Sequence, residues 1–128
     1  MKQLFISALF LLGGLLNGNA QQPSLKFNKD GKFKIVQFTD VHYIYENPKS
    51  AISIERIKEV LDAEKPVLVL FTGDVIYGKP AEEGMRKVLK LASDRKIPFG
   101  MTFGNHDNEQ GLTRTELFDI IKTIPYNL

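Results

Sequence analysis

Residues 97–107, IPFGMTFGNHD, guide the interpretation of the whole chain. The first seven residues form an apolar run that is typical of a buried strand, and the last four, GNHD, are mostly polar. Ligands in open α/β sheets bind beyond the carboxyl ends of the strands. The change after residue 103 therefore predicts that Asn105, His106 and Asp107 lie at a functional edge of a sheet.

Two earlier apolar runs end in the same way. Residues 33–38 (FKIVQF) lead into Asp40 and His42, and residues 67–71 (VLVLF) lead into Asp74. Parallel strands present their carboxyl ends at one sheet edge. The three strands are therefore predicted to bring these polar side chains close to those of the GNHD stretch.

Amphipathic helices are predicted to connect the strands. They cover residue 50 or 53 to 64, residues 80–95, and residues 113–122, the last opening on a capping box, TRTE. Their apolar stripes are predicted to be core: Ile54, Ile57, Val60 and Leu61; Met85, Val88, Leu89 and Ala92; Leu117, Ile120 and Ile121. The alternation of strands and helices predicts an α/β fold built from right-handed parallel βαβ units.

The first twenty residues form a separate unit. Lys2 gives a positive start, residues 4–16 form an apolar stretch, and residues 17–20 (NGNA) end in small and polar side chains. This pattern predicts a secretory signal peptide cleaved after Ala20. A transmembrane anchor is the alternative, but the apolar stretch is shorter than the roughly 20 residues that a span needs. We therefore expect an exported protein, periplasmic or extracellular, without a membrane anchor after cleavage.

Composition limits the partners and the chemistry. Residues 21–32 form a polar leading segment with a possible edge strand at residues 25–27, and residues 33–128 form the domain. The net charge of +2 is too small to indicate a nucleic acid partner or an anionic membrane surface. The chain has no cysteine, which excludes disulfides and thiolate ligands. We therefore expect a small or localised substrate.

The side chains at the strand ends form a mixed set of metal donors. Carboxylate and amide oxygens together with imidazole nitrogens suit Mn, Fe or Zn better than Ca or Mg. Asp40 and His42 are two residues apart, so on an extended backbone both would point the same way and reach one ion. Asp74 follows the middle strand in sequence, and its carboxylate is the choice for a bridge between two ions. Each short motif alone is common, but together they predict metal binding.

Three motifs occur in order at the ends of the predicted strands: Asp40-x-His42, Gly73-Asp74 and Gly104-Asn105-His106-Asp107. Their order and spacing over about residues 33–108 resemble the calcineurin-like metallophosphoesterases. The resemblance implies a four-layer αββα sandwich, of which this chain would supply the N-terminal βαβαβα half, with the C-terminal half absent. It also implies a dinuclear metal site that hydrolyses phosphoric esters.

The resemblance also implies roles for individual residues. Asp40 and His42 would hold the first metal, Asp74 would bridge, and Asn105 would bind the second metal. His106 would not be a ligand, and would instead contact the phosphate and protonate the leaving oxygen. Asp107 would either orient His106 or cap a turn.

Two features depart from the family pattern. His42 and His106 are the only histidines, so the later histidine motifs that complete both metal shells are absent. The arginine that often follows the Gly-Asp motif is also missing, and Tyr77 stands nearby. Gly73-Asp74-x-x-Tyr77 is similar to the purple acid phosphatases, whose tyrosine ligates ferric iron, although those lack a histidine at the position of His42. Tyr77 is therefore either a ligand or a loop aromatic that lines the cleft.

These expectations combine into one functional hypothesis with two alternatives. The leading hypothesis is an exported phosphomonoesterase or phosphodiesterase that uses two divalent or trivalent ions on a small phosphoester. A nucleotide pyrophosphatase is one alternative, and a non-catalytic metal-binding module of the same fold is the other. The 128-residue chain alone is expected to bind at most one metal tightly and to show negligible activity, because the second metal would have only Asp74 and Asn105 as protein ligands.

Overall fold

The computed structural model describes residues 23–128, so the predicted signal peptide lies outside the described residues. The edge strand predicted at residues 25–27 is wrong, because this segment forms no strand. It leads instead into a turn in which the side chain of Asn28 accepts hydrogen bonds from the amides of Asp30 and Lys32. Among the described residues, no helix is both long and apolar enough to cross a membrane.

Three parallel strands form the centre of the fold in the order β1-β2-β3. They are β1 (Ile35–Phe38), β2 (Leu68–Thr72) and β3 (Phe99–Thr102), which confirms the three predicted strands with shorter bounds. Val69 pairs with Val36 on one side and with Phe99 on the other, so these apolar side chains share one face of the sheet. This face includes three fully buried residues, namely Val69, Phe71 and Phe99.

Three helices follow the strands: α1 (Ala51–Glu64), α2 (Ala81–Ser93) and α3 (Arg114–Lys122). They confirm the predicted helices, and both halves of the predicted capping box are present at Thr113 and Glu116. Most of the predicted stripe residues are buried, namely Ile54, Ile57, Leu61, Met85, Val88, Leu89, Ala92, Leu117 and Ile121. The chain is thus an α/β structure in which every strand points its carboxyl end to the same edge.

Candidate metal centre

The predicted site residues follow the carboxyl ends of the three strands, as the sequence indicates. Beyond the sheet, the loops after β1 and β2 stay joined: the amide of Asp40 donates to the carbonyl of Gly73 at 3.2 Å, and that of His42 donates to the carbonyl of Asp74 at 2.9 Å. The pairing between these two loops continues with a β-bridge between Tyr43 and Ile76. The loop that carries Asp40 and His42 is therefore fixed directly to the loop that carries Asp74.

Three candidate ligands have a left-handed backbone. The φ angles are 52° at Asp40, 47° at His42 and 51° at Asp74. The prediction that Asp40 and His42 share an extended backbone is therefore wrong. Residues other than glycine adopt this conformation uncommonly, although Asp and His tolerate it better than most, and such residues cluster at functional sites. The hydrogen bonds between the two loops supply the surroundings that hold it.

The glycines of two motifs pack against each other. Gly73 has a φ of 97°, and a Cβ placed on it would lie 2.9 Å from the Cα of Gly104. A Cβ placed on Gly104 would overlap the carboxylate of Asp74. Residues without a Cβ allow a close approach of two backbones. In the structure they let the loops after β2 and β3 approach each other.

His42, Asp74 and His106 form a group whose potential ligand atoms all lie within 4.8 Å of one another. Nε2 of His42 lies 3.6 Å from Oδ2 of Asp74. That nitrogen is buried and has no hydrogen-bond partner in the described part of the chain. The other oxygen of Asp74, Oδ1, accepts from the amide of His106 at 2.9 Å. Buried polar atoms are rarely left unpaired, and a cation between an imidazole nitrogen and a carboxylate would satisfy both, so these residues fit a metal ion.

The other two predicted ligands lie at the same edge but outside this close group. Asp40 is exposed, and its Oδ2 accepts from the hydroxyl of Thr39 at 2.6 Å. Asn105 is exposed directly before His106. The structure therefore brings His42 and Asp74 together, whereas the ligand roles of Asp40 and Asn105 stay predictions.

The imidazole of His106 is held by a carboxylate that the sequence analysis missed. Its Nδ1 lies 2.7 Å from Oε2 of Glu109, three residues later. The hydrogen bond to Glu109 raises the pKa of His106 above its ordinary value, and the nearby negative charges act in the same direction. A carboxylate three residues beyond a histidine in a helical turn is the signal that could have identified this pair.

Tyr77 lies beside both imidazoles, whose own ring centroids are 5.7 Å apart. Its ring centroid is 5.3 Å from that of His42 and 5.0 Å from that of His106, both in edge contacts, and 48% of the residue is exposed. The sequence left open whether Tyr77 is a ligand or a cleft aromatic. Its place beside both imidazoles puts it at the site, and its role as a ligand stays a prediction.

The carboxylate of Asp107 bonds to backbone amides and not to the imidazole of His106. Asp107 is fully buried, and its carboxylate accepts four backbone hydrogen bonds. Oδ1 accepts from Val75 at 2.8 Å and from Ile76 at 3.1 Å, while Oδ2 accepts from Asp74 at 3.0 Å and from Gly104 at 2.8 Å. The orienting role suggested for Asp107 is therefore corrected, because Glu109 makes that contact. Asp107 joins the backbones of two site loops.

The similarity of the sequence to a known protein family agrees with this fold and this site. Residues 33–127 match the family of calcineurin-like phosphoesterases, and the chain belongs to that family.

Several curated proteins are similar to this part of the family in sequence. The chain is 40% identical to Phosphatase DCR2 of Saccharomyces cerevisiae over 81% of its own length and 21% of that protein. It is 28% identical to the "Probable inactive purple acid phosphatase 29" of Arabidopsis thaliana over 98% of its own length and 36% of that protein. It is 35% identical to the "Uncharacterized metallophosphoesterase YkuE" of Bacillus subtilis over 59% of its own length and 27% of that protein. The chain thus spans about a fifth to a third of these relatives.

Proposed function

We propose that the chain is the N-terminal part of an exported phosphomonoesterase or phosphodiesterase that uses two metal ions. Membership of the calcineurin-like phosphoesterases supports phosphoric ester hydrolysis as the reaction. The observation that carries the proposal is the buried Nε2 of His42, which has no hydrogen-bond partner among residues 23–128 and lies 3.6 Å from the carboxylate of Asp74. Export rests on residues 1–20, and fractionation of the producing cells tests it.

His42 and Asp74 would hold one ion together with Asp40, and Asp74 would share its charge with a second ion near Asn105. Mn, Fe or Zn suits this mixed set of oxygen and nitrogen donors. Ions held by these residues would offset the negative charge of the phosphate and make a nearby water more acidic.

The chain's own residues would orient the substrate and move a proton. The amide of His106 donates to Oδ1 of Asp74, which turns that carboxylate so that Oδ2 faces His42. The Nδ1 of His106 is occupied by Glu109, so Nε2 is the nitrogen left to face a substrate. A proton on Nε2 would pass to the leaving oxygen as the ester bond to phosphorus breaks.

A second candidate function is a non-catalytic module of the same fold. It is favoured by relatives whose names describe them as probable inactive purple acid phosphatases, of which one is 28% and another 31% identical to this chain. The relative at 40% identity is named a phosphatase, and the buried Nε2 of His42, without a hydrogen-bond partner in the part of the chain that the structure describes, suits a site that still takes a metal. We therefore favour the enzyme.

The test is hydrolysis of p-nitrophenyl phosphate and bis(p-nitrophenyl) phosphate by the full-length protein. Mn, Zn and Fe are added separately to metal-free protein, and Asp74→Asn serves as the matched inactive variant. Metal-dependent release of p-nitrophenol that is lost in Asp74→Asn supports the enzyme, and the preferred ester separates monoesterase from diesterase. Metal binding without turnover of either ester would favour the non-catalytic module.

A further inference from the structure

Glu109 is the carboxylate that meets the side chain of His106 within the described residues. Oε2 of Glu109 lies 2.7 Å from Nδ1 of His106, a distance typical of a charge-assisted hydrogen bond. The side chain of Glu109 is about half exposed, and that of His106 is 32% exposed. Both side chains of the pair are therefore accessible to solvent.

The backbone around Glu109 makes this contact specific. Residues Asp107–Glu109 form a single 3-10 turn, and the amide of Glu109 donates to the carbonyl of His106 at 3.1 Å. The turn begins at the buried Asp107, which is fixed by four amides. Arg114 also supports it, donating to the carbonyl of Gly104 at 2.9 Å and to the side chain of Asn108 at 3.2 Å. The anchored turn therefore places the carboxylate of Glu109 beside Nδ1 of the imidazole.

The imidazole is thus constrained on two sides. Glu109 takes Nδ1, and the ring of Tyr77 meets that of His106 edge-on at 5.0 Å. The hydrogen bond made by one ring nitrogen sets which nitrogen carries the proton and which way the other points. With Nδ1–H donated to Glu109, Nε2 is the nitrogen that faces away from the turn.

We propose that Glu109 is a positioning residue that holds the Nδ1–H of His106 and thereby presents Nε2 to the leaving oxygen of the ester. The inference rests on the proposed phosphoesterase function. In the step, a water oxygen bonds to phosphorus and the bond from phosphorus to the leaving oxygen breaks with its electron pair on that oxygen. That oxygen takes the proton from Nε2 of the protonated ring, which leaves the neutral Nδ1–H imidazole, and a proton released by the attacking water returns the ring to its protonated form through solvent. Ester and water thus become alcohol and phosphate.

The first test compares two substrates with different leaving groups. p-Nitrophenolate departs without needing a proton, whereas the alkoxide of β-glycerophosphate needs one. Loss of an outer partner of a site residue typically costs about 10–100-fold in activity. We expect Glu109→Ala to lower kcat on β-glycerophosphate by about that factor, and to change kcat on p-nitrophenyl phosphate by less than about threefold. Glu109→Gln, which keeps an acceptor oxygen, should recover most of the loss.

Two controls separate positioning from a general structural effect. Asp119→Ala removes another exposed carboxylate, one that pairs with Lys122 on α3, and should leave both rates unchanged. In a His106→Ala background, adding Glu109→Ala should lower neither rate further, because the partner through which Glu109 acts is gone. Equal losses on both substrates, or a further loss in the His106→Ala background, would overturn the proposal.

A final measurement does not depend on turnover. Full-length metal-free protein with ¹⁵N-labelled histidine, at a pH where the ring is neutral, should show His106 as the Nδ1–H tautomer, and Glu109→Ala should abolish that preference. An unchanged tautomer would overturn the positioning contact. If the wild-type protein hydrolyses neither ester but Glu109→Ala still changes the tautomer of His106, the proposed function is overturned and the contact between Glu109 and His106 is supported.

Discussion

Asp107→Asn is the substitution for which the structure predicts the largest effect from the smallest change in shape. The wild-type carboxylate accepts four backbone N–H groups, two on each oxygen, and it is fully buried. Asparagine has almost the same volume but only one oxygen. Whichever way the asparagine amide is turned, its NH₂ group will face two backbone N–H donors. An NH₂ group accepts no hydrogen bond, so these two donors lose their partner.

The size of the effect follows from those two donors. A buried donor left without a partner costs about 1–3 kcal/mol, so two of them cost about 2–6 kcal/mol. Domains of this kind have a free energy of unfolding of about 5–15 kcal/mol, so the loss is a large part of the total. The donors belong to the loops after β2 and β3, so the same change should also loosen the metal centre.

Urea unfolding of the full-length protein, followed by far-UV circular dichroism, measures the free energy of unfolding, and equilibrium dialysis against Zn or Mn measures metal binding. Asp119→Asn is the matched control, since it makes the same chemical change on the exposed face of α3 and should stay within about 0.5 kcal/mol of wild type. If Asp107→Asn loses less than about 1 kcal/mol and binds metal as wild type does, the reasoning about the two unsatisfied donors is refuted.

Three further predictions concern other residues of the described chain. Asp74→Asn should cost the full-length protein its metals, whereas His106→Ala should keep them and lower kcat by roughly 10²–10⁴, the range for a positioned acid. Metal analysis together with kinetics distinguishes the two variants. A His106→Ala protein that has lost its metals would show that His106 is a ligand. Gly104→Ala should abolish metal binding in dialysis, because the added Cβ overlaps the carboxylate of Asp74. The hydrogen bond from Arg95 lowers the pKa of Asp62, so this pair stabilises the fold above the unfolded pKa of Asp62 and loses its contribution as the pH falls through the folded pKa; unfolding curves should therefore show a weaker acid dependence in Asp62→Asn.

Local sequence signals were sufficient to predict the elements of the fold. The apolar runs before Asp40, Asp74 and Gly104 are strands, and the capping box at Thr113 and Glu116 opens α3. These features depend on the spacing of apolar residues and on contacts between residues a few positions apart. Both are visible in the sequence.

The details of the site depend on contacts that sequence spacing does not reveal. Asp107 bonds to the amides of Asp74, Val75 and Ile76, which lie 31 to 33 residues earlier, so nothing local to the GNHD motif shows that its last residue is a structural anchor. The left-handed backbone of His42 likewise depends on pairing with the loop after β2. Glu109 was within reach of sequence reasoning, since its spacing from His106 is that of neighbours in a helical turn.

Hydrogen bonds within the protein constrain the candidate ligands. A left-handed conformation costs a residue other than glycine about 1–3 kcal/mol, and Asp40, His42 and Asp74 all adopt it. The opposing contributions are the hydrogen bonds between their loops and the amides gathered by Asp107. Because a site that is held in place before a ligand binds pays less ordering entropy on binding, rigid loops favour tight binding of a cation. The strain at the strand ends is therefore consistent with a cation site that is formed before an ion binds, and Asp107 contributes to it by joining the backbones of the loops after β2 and β3.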